Sequence, residues 1–298
     1  MSKGKKILLS VVYSIIGVVL LAATLFHFLA PGIPLEKIGT DGATVEYLAF
    51  PNGDYTGESV LGFLNGTGTF TFKSGEIYEG EWKNHEISGK GKLTSSAGVY
   101  EGEYTQSMRS GAGTFTWADG SQFVGQWAND QLNGEGVLTT ASGLSYKGAF
   151  QNDTLYEGKV SGTYNGNTFE VSVENGTVTN KISVTFSDGV TYTGGFAGKC
   201  FAGKGEMNFP GVGKYEGAFE SGKRSGDGIF TWSDGAKYDG EWENDVFDGY
   251  GTYTFDTTTS ITGTFQDGGL NGTYTYKNSD GDFKTVWENG KCTSIKAK

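Results

Sequence analysis

Apolar and polar positions alternate along most of this chain, and the alternation restarts on a fixed beat. Its aromatic starts are Tyr55, Tyr78, Tyr100, Phe123, Tyr146, Phe169, Tyr192, Tyr215 and Tyr238, spaced by 23 residues with one interval of 22. Ile261 and Lys284 keep the beat with weaker residues. Position 1 of a unit is aromatic, position 3 glycine and position 5 aromatic, as in "YEGEW" at 78–82, "YEGEY" at 100–104 and "YDGEW" at 238–242. Gly57, Gly80, Gly102, Gly125, Gly148, Gly194, Gly217, Gly240 and Gly263 hold position 3. The second half carries Gly-x-Gly and alternating apolar residues, as in "GTGTFTF" at 66–72, "GAGTFTW" at 111–117 and "GDGIFTW" at 226–232.

A period of two is that of a β-strand, so positions 1, 3 and 5 share one face and positions 2 and 4 the other. Asn-Gly and Asp-Gly supply the positive φ of tight hairpin turns. A turn closes units at "ADG" 118–120 and "SDG" 187–189 and 233–235. Each unit therefore predicts one β-hairpin, and a constant period of this length predicts a repeat architecture with hairpins paired in a meander. Glycine between aromatics leaves a flat spot over which a neighbouring ring lies, compensating for its poor strand propensity. In an elongated, single-layer antiparallel sheet this face takes the place of a thick core.

One stretch follows another pattern. Ile7–Ala30 is a predominantly apolar run of 24 residues that carries no acidic or basic side chain except His27. As a helix it spans about 36 Å, enough to cross a hydrocarbon core of about 30 Å. The apolar core of a cleaved signal is shorter, about 7–15 residues. "AAT" at 22–24 and "LAP" at 29–31 are weak cleavage sites, so an uncleaved transmembrane anchor is expected. Lys3, Lys5 and Lys6 precede the span, which puts the N-terminus in the cytoplasm and the remainder outside it. Pro31 and Pro34 end the helix and open a linker.

Composition narrows the chemistry. The chain holds 50 glycines and 4 prolines in 298 residues, and 14% of it is aromatic, which suits a turn-rich β structure rather than disorder. The net charge of −11 repels phosphate backbones and argues against nucleic acid. Two histidines, His27 and His85, and two cysteines, Cys200 and Cys292, leave no set for metal binding or nucleophilic catalysis. No enzymatic activity, cofactor or metal is expected. Cys200 and Cys292 hold position 9 of units four apart, which separates them by roughly 40 Å at about 4.8 Å per strand, too far for a disulfide.

Three features could still carry binding. Glu79/Glu81, Glu101/Glu103 and Asp239/Glu241 form an acidic ladder on the face opposite the aromatics, which could hold Ca²⁺ but reads first as a solvated surface. Trp82, Trp127 and Trp242 at position 5, with Trp117 and Trp232 at position 18, could stack on sugars or on a protein partner; otherwise they pack on glycines. Asn-Gly-Thr at 65–67, 175–177 and 271–273 fits a glycosylation acceptor, but Asn-Gly reads first as a turn. "KR" at 223–224 is too small a basic patch for anionic lipid.

The unit resembles the MORN repeat, whose pattern looks like Y-x-G-x-W, then G-x-G, then a closing glycine. "YEGEWKNHEISGKGKLTSSAG" at 78–98, "FVGQWANDQLNGEGVLTTASG" at 123–143 and "YDGEWENDVFDGYG" at 238–251 carry the resemblance over about 55–275. The structural positions it marks include Tyr78, Gly80, Tyr100, Gly102, Gly125, Tyr215, Gly217, Tyr238 and Gly240. The resemblance implies an all-β hairpin rod of about ten units that scaffolds or tethers and does not catalyse. Residues 151–191 depart from it: "EGK" at 157–159 and "NKI" at 180–182 replace Gly-x-Gly, and Val171 replaces the position-3 glycine. That stretch is a bend, a joint, a partner site or simple drift. "VEYLAFPNG" at 45–53 and "KTVWENGKC" at 284–292 read as half-unit caps.

The expected organisation is a cytoplasmic basic segment 1–6, an anchor 7–30, a linker 31–44, repeats 45–150, degenerate repeats 151–191, and repeats with a cap 192–298. The expected function is a membrane-anchored, extracytoplasmic scaffold for protein partners, with oligomeric state open. The alternatives are a glycan-binding module using the aromatic strip and a cytoplasmic scaffold on lipid or cytoskeleton.

Overall fold

A computed structural model describes residues 44–298 of the protein. The anchor at 7–30 and the linker, apart from Thr44, lie outside the described residues. The described chain is all β, with 23 strands assigned to one antiparallel sheet. It divides into two compact units: the first runs to Val160 and takes in Val173–Thr177, and the second comprises Ser161–Ser172 and Val178–Lys298. The change from one to the other thus falls among the degenerate repeats.

The first unit is built from β1 (Thr44–Phe50), β2 (Gly53–Val60), β3 (Phe63–Phe72), β4 (Ile77–Lys83), β5 (Glu86–Ser95), β6 (Gly98–Thr105), β7 (Met108–Trp117), β8 (Gln122–Ala128), β9 (Gln131–Thr139) and β10 (Ser145–Gln151). Then come β11 (Thr154–Tyr164), β12 (Asn167–Glu174) and β13 (Thr177–Thr185). The second unit continues through β14 (Thr191–Ala197), β15 (Cys200–Phe209), β16 (Gly213–Glu220), β17 (Lys223–Trp232), β18 (Lys237–Glu243), β19 (Val246–Thr254) and β20 (Ser260–Phe265). It ends with β21 (Gly272–Asn278), β22 (Gly281–Glu288) and β23 (Lys291–Ala297). The half-unit 45–53 becomes β1 and its turn into β2, and 284–292 falls in the β22–β23 hairpin.

Register explains the glycines. Gly57 faces Gly68, Gly68 faces Gly80, and the pairing continues through Gly91, Gly102, Gly113, Gly125 and Gly136 to Gly148. A second row runs from Gly194 through Gly205, Gly217, Gly228, Gly240 and Gly251 to Gly263. The position-1 rings lie over these rows. A Cβ at Gly91 would meet the Tyr78 ring and hydroxyl inside van der Waals distance. Glycine is required there for close approach and not for backbone freedom.

The aromatics make a continuous core within each unit. Tyr55, Tyr78, Tyr100, Tyr192, Tyr215 and Tyr238 are fully buried. Each hydroxyl donates to the carbonyl three residues on, at 2.7–3.1 Å. Burial pushes Tyr55, Tyr192 and Tyr215 up to about 12, so these hydroxyls stay protonated donors. Tyr55 and Tyr78 both meet Trp82 edge to face, with centroids 5.6 and 5.2 Å apart, and Tyr100 and Phe123 meet Trp127 in the same way. The indoles of Trp82, Trp127 and Trp242 donate to the carbonyls of the row glycines Gly68, Gly113 and Gly228 at 3.0–3.3 Å.

Two expectations about local chemistry change. Asn65-Gly66 is not a turn: it lies inside β3, at a bulge where Asn65, Gly66 and Thr67 all face Glu58. The hairpin turn falls instead at positions 7 and 8, in pairs such as Asn84-His85, Gln106-Ser107 and Asn129-Asp130. Both residues of each of these pairs lie at φ between 49° and 67°, as a two-residue type I′ turn needs. The acidic ladder also divides in two. Glu79, Glu101 and Asp239 at position 2 are exposed. The position-4 carboxylates cap the bulge: Glu58 accepts the Thr67 N–H at 2.6 Å, Glu81 that of Lys90 at 2.9 Å, and Glu241 that of Tyr250 at 3.1 Å.

Candidate functional site

Neighbouring hairpins are joined by a clip between position 8 of one unit and position 10 of the unit before. The position-8 N–H donates to the position-10 carbonyl in His85→Leu64, Ser107→Ile87, Asp130→Arg109, Asp153→Leu132 and Asp245→Arg224, at 2.9–3.1 Å. The position-8 side chain accepts the position-10 N–H in the same five pairs. The αL backbone of the turn aims both groups backward, which is why a side chain with an acceptor close to its Cβ (His, Ser or Asp) recurs in these pairs.

Position 10 is apolar at Leu64, Ile87 and Leu132 but basic at Arg109 and Arg224. Each arginine adds an ion pair to the clip. Arg109 Nε lies 3.0 Å from Asp130 Oδ1, and Arg224 Nε 3.1 Å from Asp245 Oδ1. A terminal guanidinium nitrogen of each donates to the same aspartate's carbonyl, at 2.7 and 2.8 Å. The guanidinium sits over an indole, 4.3 Å from the Trp127 centroid and 4.5 Å from that of Trp242. As "KR" at 223–224 the second of these looked like a weak basic patch. Its position in the 23-residue frame was the signal that could have identified it.

The two pairs differ in exposure. The Arg109 and Asp130 side chains are 5% and 4% exposed, those of Arg224 and Asp245 19% and 46%. In the second unit a groove of about 360 Å³ reaches the pair. Its walls include Trp232, Trp242, Val246 and Phe247, with Gly268 at one side. At the place that Gly268 holds, the first unit has Asp153. That carboxyl accepts the Leu132 N–H at 2.8 Å, and its burial, the larger effect, raises it above the usual carboxylate range although the Leu132 N–H and Arg109 draw it down.

Of the five tryptophans expected at a binding face, Trp82, Trp127 and Trp242 are 3–4% exposed, and their rings serve the core. Trp117 and Trp232 are half-buried. Trp232 is packed on Phe230 and Tyr253 and contributes to the groove. A strip of five stacking rings is therefore not on offer. The rings of Tyr78, Tyr100, Tyr215 and Tyr238 sit over the glycine rows that include Gly80, Gly102, Gly217 and Gly240, while Gly125 lies under Phe123. Cys200 is a half-buried free thiol and Cys292 an exposed one.

The MORN repeat family matches residues 55–77, 78–99, 100–122, 123–145, 215–237 and 238–259. No curated protein matches the chain in sequence. Among solved structures, the chain is similar to the SAS-4 (dCPAP) TCP domain in complex with a proline rich motif of Ana2 (dSTIL) of Drosophila melanogaster. Identity is 9%, over 72% of this chain and 99% of that one, with a TM-score of 0.27. A streptogramin B lyase is similar at 13% identity over 85% of this chain and 94% of that one, with a TM-score of 0.14. Likeness at this level carries no argument for fold or function.

Proposed function

The chain carries six MORN repeats, and on that premise we propose that it is a scaffold that binds protein partners through its repeated β surface. It is held at a membrane by residues 7–30, with the repeats outside the cytoplasm. The observation that carries the binding reading is the groove at Arg224. Most rings of the repeat pattern are packed in the core of their own unit, whereas here the half-buried Trp232 and Phe247 share an open recess with a partly exposed ion pair. A stiff frame with many similar weak sites gains through multivalency.

Two experiments test this reading. A photo-crosslinking residue at Val246, which is 41% exposed on the groove wall, should join the protein in its native cells to a discrete partner. The same residue at the exposed Asp119 serves as the control. Equal, diffuse crosslinking from both sites sinks the reading. Topology is read from Cys292: labelling by a membrane-impermeant maleimide before lysis supports the outside location, and labelling only after lysis overturns it.

A further inference from the structure

The clip between neighbouring hairpins lacks one half at Gly268. The Gly268 N–H donates to the Phe247 carbonyl at 2.9 Å, as Asp153 does to Leu132. Phe247 and Leu132 hold the same place, each paired with the tryptophan of its hairpin. The Leu132 N–H finds the Asp153 carboxylate. Glycine offers none, and among the described residues no side chain accepts the Phe247 N–H. A Cβ at Gly268 would meet nothing within 4 Å, so the place is open. Beside Trp127, Arg109 has the carboxylates of both Asp130 and Asp153 in its surroundings. At the open site Arg224 pairs, among the described residues, with Asp245 alone.

We propose that this groove docks a carboxylate of an acidic partner segment, seated between the Phe247 N–H and the Arg224 guanidinium, with an adjoining apolar residue on Trp232 and Val246. The inference rests on the protein-binding reading above and specifies its groove and its chemistry. The groove offers donors, a backbone N–H and the remaining guanidinium N–H groups, beside one carboxylate, Asp245, whose Oδ1 already accepts the Arg224 N–H and Nε–H. A cation entering the groove would meet Asp245 already paired with Arg224, and would leave the N–H unpaired. A carboxylate satisfies both through charge-assisted hydrogen bonds, in the place where the first unit already holds one. The aromatic walls offer apolar area for a partner side chain to cover.

The test uses the full chain in detergent micelles and acetylated tripeptide amides X-Asp-X and X-Asn-X, with X as Phe, Leu or Val. At least one Asp peptide should bind about tenfold or more tightly than its Asn counterpart. Gly268→Asp supplies the carboxylate from within. It should abolish that preference and raise Tm, since aspartate already stands at φ 64° in Asp153. Arg224→Leu with Asp245→Ser restores the kind of clip seen at Ile87 and Ser107, and it should fold while losing the preference. Equal binding of Asp and Asn peptides overturns the proposal, as does a preference that survives in both variants. A partner crosslinked at Val246 without any Asp preference sinks the carboxylate site alone. Absence of that partner sinks the scaffold reading, whatever the peptides do.

Discussion

The Tyr78 hydroxyl donates to the Glu81 carbonyl at 3.1 Å, and the ring between them lies over Gly91. One residue thus closes its own strand and covers the next.

Tyr78→Phe should remove the hydrogen bond and keep the packing, as Phe123 does in its own unit. The expected loss is about 1 kcal/mol, read as a lower denaturant midpoint at unchanged slope. Gly91→Ala should cost about 1–3 kcal/mol or more, because the added methyl enters the Tyr78 ring. The combination Tyr78→Ala with Gly91→Ala should lose less than the sum of its parts, since the ring that the methyl strikes is gone.

Arg109→Leu should be strongly destabilising, by about 3–5 kcal/mol, because it leaves the buried Asp130 charge without its partner. Arg109→Leu with Asp130→Ser should recover most of that loss. Ile87 and Ser107 already form such a clip in the same unit. Thermal unfolding of the two variants side by side measures the coupling.

Glu81→Ala should lower stability by about 1 kcal/mol, because the Lys90 N–H loses its acceptor. Glu79→Ala, on the same strand but at exposed position 2, should stay within about 0.5 kcal/mol of the parent. Equal effects of the two would remove the bulge-capping role from position 4.

Stability should fall with pH through His85. Burial lowers its folded pKa below the ordinary 6.5, and its Nδ1 accepts the Leu64 N–H. The unfolded chain therefore binds the proton more readily than the folded one. Stability is at its full value above about pH 6.5 and falls as pH drops from there toward the folded value. His85→Ser, the residue present at Ser107, should flatten this dependence between pH 7 and 5.5 in denaturant titrations.

Much of this architecture could be read from the sequence because its cause is periodic. Aromatic and glycine spacing locates the strands, their inward face and the half-hairpins at either end of the repeats. The clip was hidden because it depends on αL backbone at ordinary residues such as Gln106, Ser107 and His85, whose identities do not announce a turn. The same ambiguity misplaced the turn at Asn65-Gly66, where the dipeptide serves a bulge. Arg109 and Arg224 escaped notice because they replace apolar residues at position 10, and only the paired strands show the aspartate that meets each of them. The groove depends on what Gly268 lacks, and a missing side chain leaves no motif.

The unbroken row from Gly57 to Gly148 also bears on inheritance. Each glycine faces another, so a hairpin fits only beside a hairpin of equal stride. Duplication or loss of a whole unit keeps that match. A single residue inserted within a strand slides side chains under the tyrosines of two neighbours at once. The one 22-residue interval fits this rule: its connection between Ser95 and Gly98 is short, and Gly91 still faces Gly102. For the gene, the unit is the smallest safe change in length, and the connections are where single residues come and go.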